Sequence, residues 1–114
     1  MAGTLQVNEH SAWTPAGWIF NNILERVALR LEPEDEELAN EVFDALGPSP
    51  GHLDLCLVSV ARMQRFTRAA EEVERRAQDA GASAFPDQSF YTPFIQELQQ
   101  MLQLLHADPR TGSE

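Results

Sequence analysis

A chain that performs nucleophilic catalysis needs a nucleophile, a base within reach and a group that orients the base. The lone cysteine, Cys56, stands between Leu55 and Leu57. Apolar surroundings raise a thiol's pKa, so an inert, buried structural thiol is expected there. His10, His52 and His106 fall in a terminal arm, a helix start and a helix end, and none has an acid at ligand spacing on a helix face. A zinc or di-metal centre is therefore not expected. Gly47 and Gly51 sit beside prolines with no lysine following, unlike a phosphate-cradling loop. These residues predict no cofactor, no metal and no enzyme activity.

Two other groups of residues are suited to binding. Glu34, Glu37, Glu41 and Asp44 are spaced by three, four and three, which places them on one face of a helix. Metal-binding bundles combine such acids with histidine and turn them inward. Here Leu38, Val42, Phe43 and Leu46 take the opposite side, so the acidic stripe faces water or a partner. Like charges at these spacings repel, and a cationic partner would relieve that repulsion. The second group is aromatic: Phe85, Phe90, Tyr91 and Phe94 are four of nine aromatics within ten residues. They either close the end of a helical bundle or, at Phe85, Phe90 and Tyr91, form exposed anchors.

The basic residues from Arg62 to Arg76 are interrupted by Glu71, Glu72 and Glu74. They read as salt bridges, within their own helix or to the acidic one, and not as a nucleic-acid surface. Glu71–Arg75 and Glu72–Arg76 have the favourable i, i+4 order.

The elements that must carry these groups read as helices. Thr14-Pro15 is a cap and first-turn pair, with Trp13 and Trp18 at staple positions around it. Phe20, Ile23, Leu24, Val27, Ala28 and Leu31 then form one apolar stripe. Pro33 interrupts it, so residues 15–46 are either two helices or one helix kinked at Pro33. The second begins at Pro33, with Glu34 to Glu37 at its positive end. Ser49-Pro50 repeats the capping device and opens one long helix over about 50–80, with Leu53, Leu57, Val60, Met63 and Phe66 on its stripe and a break possible near Phe66 to Ala70. Gly81 ends it. Thr92-Pro93 starts the last helix, and no stretch alternates at period two for long. The expected fold is all-α: a four-helix antiparallel bundle or an irregular helical array. It spans residues 1–114 as a single domain, with 1–12 and 108–114 flexible.

The 114 residues are 43% apolar and 23% charged, enough apolar content for one core and too little charge for a disordered chain. No signal peptide or membrane span is predicted, and a single cysteine suits a reducing compartment, so a cytoplasmic protein is expected. The net charge is −10, and all eight basic residues are Arg, a bias that fits a GC-rich bacterial genome. Residues 1–57 carry ten acids against two Arg, and residues 58–114 carry eight acids against six Arg. Such a surface repels nucleic acid and anionic membranes and steers towards cationic proteins. The expected function is non-catalytic binding, as in a small bacterial immunity or inhibitor protein that neutralises a cationic toxin enzyme. Alternatives are an adaptor or secretion chaperone holding a partner segment in a helical groove, and a small helical ligand-binding or enzyme domain.

Overall fold

A computed structural model describes residues 3–46 and 51–111. It corrects the all-α expectation: four helices pack around a small mixed sheet. The order is β1 (Thr4–Asn8), β2 (Ser11–Trp13), α1 (Gly17–Leu31), α2 (Glu36–Ala45), β3 (His52–Asp54), α3 (Val60–Ala80) and α4 (Tyr91–Ala107), with short 3-10 turns at Ala82–Ala84 and Gln88–Phe90 between the last two.

Residues 1–12 are expected to be flexible; of these, the described residues from Thr4 onward form a hairpin that ends at Trp13. Leu5 and Val7 alternate inward along β1 and are fully buried. At the turn, Asn8 Oδ1 accepts from the His10 amide at 2.8 Å, the local bond that makes asparagine a turn residue. β1 is the central strand, antiparallel to β2 and parallel to β3, with Leu5 opposite both Trp13 and Leu53. Gly3 and Gly51 flank the Phe20 ring, and a Cβ at either would collide with it.

β3 also overturns the long helix expected over 50–80. The proposed cap at Ser49-Pro50 lies outside the described residues, but His52–Asp54 is extended and pairs with β1. The helix starts instead at Val60, where Ser59 Oγ accepts from the Arg62 amide at 3.2 Å. From there α3 runs unbroken to Ala80, and Gly81 follows at φ 68°, a conformation glycine adopts without strain.

α1 and α2 are separate helices. α2 is capped by Asp35, whose Oδ1 accepts from the Leu38 amide at 3.2 Å. The staple expected of Trp13 and Trp18 does not form: Trp13 is buried against Phe20, while Trp18 lies outside against Phe90. Ile23, Leu24, Val27, Leu38, Val42, Met63, Phe66, Phe94, Leu98, Met101 and Leu105 join Leu5, Val7 and Leu55 in one core. Each such burial is worth about 1.5–3 kcal/mol.

Candidate functional site

The acidic stripe is divided by the fold. Glu34 lies in the α1–α2 turn, before the helix begins, and lines a groove with Arg30, Arg68, Glu72 and Arg76. Glu37 and Glu41 do share the outer side of α2, and both reach Arg62 on α3. Arg62 pairs closely with Glu37, and its Nη1 is 3.8 Å from Glu41. Asp44 is exposed on α2. All four carboxylates are at the surface; they are not one continuous row.

Asp35 is the buried member of this network, although by sequence it is only one of four anions at a helix start. Its Oδ2 lies 3.2 Å from Arg62 Nε and 3.0 Å from Arg65 Nη1. Burial alone would raise its pKa, but the Leu38 amide, Arg65 and Arg62 outweigh that and hold the carboxyl below the ordinary 3.8. The signal was an aspartate three residues before the first buried leucine of α2, the spacing of an N-cap. Arg62 and Arg65 therefore tie α3 to α2. Farther along, Arg75 and Arg76 grip Glu72 within α3, and Glu71 turns to His106 of α4 at 2.7 Å.

Beside Arg62 the start of α3, the end of β3 and α2 enclose an open groove of about 430 Å³, lined by Glu41, Asp54, Leu57, Val58, Ser59 and Arg62. Leu57, assigned from sequence to a buried stripe, is 99% exposed at its rim, and Val60 is half exposed nearby.

A fully exposed leucine in a connecting segment is usually a sign of slack backbone. Here the backbone is held. Arg110 Nη1 donates to the carbonyls of Leu55 at 2.7 Å and Val58 at 2.8 Å, and Nη2 donates to Val7 at 2.8 Å. The same guanidinium engages both carboxylate oxygens of Asp108, at 2.9 and 3.0 Å. Asp108 is buried and also accepts from Asn8 Nδ2 at 2.9 Å. Arg110, followed by Asn8, pulls the Asp108 carboxyl from 3.8 to about 2 against the effect of burial. One clasp thus ties the end of β1, the β3–α3 segment and the end of α4 together. From sequence alone Asp108 and Arg110 are expected in a flexible tail over 108–114.

Cys56 is half buried in this segment. Its hydrogen bond with Asp54, followed by burial, pushes the thiol above 9.0 and keeps it protonated, which makes it a poor nucleophile. Among the described residues no group of three or more His, Cys, Asp and Glu is placed to hold a metal ion. No helix among them is long and apolar enough to cross a membrane.

The aromatic segment is divided too. Phe85 packs edge-on against both Tyr91 and the fully buried Phe94, so it belongs to the closure of the core. Tyr91 is half buried. Phe90 is exposed and leans on Trp18. In comparisons with known proteins, no protein-family model, no curated protein and no solved structure matches this chain.

Proposed function

We propose that the protein is a non-catalytic binding module of the immunity or inhibitor kind, which neutralises a cationic protein such as a toxin enzyme through the outer side of α2 and the β3–α3 segment. The observation that carries this reading is Leu57: fully exposed, held in place by the Arg110 clasp, and set beside the carboxylates of Glu41 and Asp54. An apolar anchor presented on ordered backbone loses little entropy when it docks. The acids around it supply long-range attraction to a basic surface and speed the encounter. Glu37 and Glu41 hold Arg62, yet they remain largely solvent-exposed. Exposed pairs are worth only about 0–1 kcal/mol, so a partner's Arg or Lys can compete for these carboxylates.

The test uses isotope-labelled protein titrated at low salt with a short peptide of Arg, Lys and Leu. Amide shifts should concentrate on residues 36–44 and 54–62. The double reversal Glu37→Arg, Glu41→Arg should weaken binding by about tenfold or more, since each change removes attraction and adds repulsion. Shifts spread evenly over the acidic surface, and unchanged by the reversal, would defeat the proposal. Shifts centred on residues 85–91 would move the site to Phe90 and Tyr91.

A further inference from the structure

Acids outnumber bases in this chain by eighteen to eight, so no arginine lacks a partner for want of carboxylates. Six of the eight have one. Arg26 lies over the Phe94 ring, 5.3 Å from its centroid. Arg62 and Arg65 hold Asp35, Arg75 and Arg76 hold Glu72, and Arg110 holds Asp108. Arg30 and Arg68 have no such contact among the described residues.

Both line one groove. It has a volume of about 300 Å³ and is bounded by Arg30 in the last turn of α1, Glu34 in the turn that follows, and Arg68, Ala69, Glu72 and Arg76 of α3. Arg68, Glu72 and Arg76 recur at intervals of four and so share one side of α3.

Glu72 does not cancel the positive charge here. Its two oxygens are taken by Arg75 and Arg76, which pull its carboxyl down to about 2. Arg76 makes this bond through Nε at 2.8 Å, which leaves its two Nη nitrogens to donate elsewhere. Glu34 is exposed and is the one carboxylate of the groove left to answer Arg30 and Arg68. An exposed pair of that kind is weak, so an anion that engages both guanidiniums displaces it.

Guanidinium groups match the oxygens of phosphate in geometry as well as charge. A carboxylate brings one charge and two oxygens to three arginines, whereas a phosphate group brings nearly two charges and three oxygens. A long polyanion such as nucleic acid is repelled by the net charge of −10. We propose that this groove between α1 and α3 binds the phosphate group of a small molecule, either inorganic phosphate or a phosphomonoester. The inference is independent of the reading given to α2.

The isotope-labelled full chain is titrated at constant ionic strength with inorganic phosphate, with phenyl phosphate and, as a singly charged control, with benzoate. The Nε–H signals of Arg30, Arg68 and Arg76 should shift saturably with both phosphates, at a dissociation constant of about 1 mM or below. Benzoate should bind about tenfold more weakly. Arg30→Gln and Arg68→Gln should each weaken phosphate binding by about tenfold, with an unchanged circular dichroism spectrum because both side chains are exposed. Glu34→Gln removes the competing carboxylate and should strengthen binding by about two- to fivefold. Tighter binding of phenyl phosphate than of inorganic phosphate identifies a phosphomonoester as the ligand, and equal or weaker binding identifies the free anion. Shifts that never saturate, benzoate binding as tightly as phosphate, an affinity indifferent to both arginine variants, or a loss of affinity in Glu34→Gln would each overturn the proposal.

Discussion

Arg110 has more consequence for this fold than any other charged side chain described. It is three residues past the end of α4, yet its guanidinium satisfies carbonyls from two other segments and both oxygens of a buried carboxylate. Removing it leaves Asp108 as a buried charge short of its main partner, a change that costs about 3–5 kcal/mol in comparable pairs. Arg110→Ala should therefore lower the unfolding free energy read from urea melts by an amount in that range, with Arg110→Lys recovering only part, since an ammonium has three donors on one nitrogen and cannot reproduce the planar guanidinium fork. The pH dependence follows from the same clasp. A carboxyl depressed from 3.8 to about 2 contributes stability that is complete above its unfolded value and is lost as pH falls through about 2. Wild-type stability should drop between pH 5 and pH 2, and Arg110→Ala should show a smaller drop. Equal stabilities in wild type and Arg110→Ala at pH 5 would show that the clasp is idle.

At the scale of elements, the sheet distinguishes this architecture from a helical bundle, and β1 is its centre. The strand has only two inward residues, Leu5 and Val7, so its stability comes from pairing on both edges and from the helices packed on it. Leu5→Ala should cost about 2–5 kcal/mol, the range for truncating a fully buried leucine, read as a shift in a denaturant melt. In a chain with a loose terminus the same change would be silent. The helices were more legible than the strands for a reason of length. α1 offers four turns of repeated apolar spacing, and its stripe matches the buried residues. Strands of three residues, as at Ser11–Trp13 and His52–Asp54, present one or two inward side chains and have no period to detect.

For the whole molecule the excess of acid matters more than any one ion pair. Glu32, Glu34 and Glu36 crowd the α1–α2 turn and Asp44 stands at the far end of α2, while the exposed Arg62 contacts to Glu37 and Glu41 contribute little. Screening should relieve more repulsion than it removes attraction. Raising NaCl from low concentration to about 0.5 M should increase Tm by roughly 2–5 °C. A fall in Tm would mean that the α2–α3 ion pairs outweigh the repulsion.

The sequence by itself determined the inward face of α1, the glycine end of α3 and the acidic character of α2, because each depends on neighbours within one or two turns, and it left open whether residues 15–46 are one helix or two. Only the tertiary structure decided the rest. Whether residues 4–13 and 52–54 pair depends on strands brought together across more than forty residues. Which carboxylates stay open depends on Arg62 reaching across from α3. Leu57 looked like a core residue because leucine is apolar and lay near helical spacing, and its exposure follows from α3 starting at Val60. Asp108 and Arg110 looked like a polar tail because nothing local needs them. Their partners, Asn8, Val7, Leu55 and Val58, lie between 50 and 103 residues away, and only the folded chain brings a guanidinium to those carbonyls.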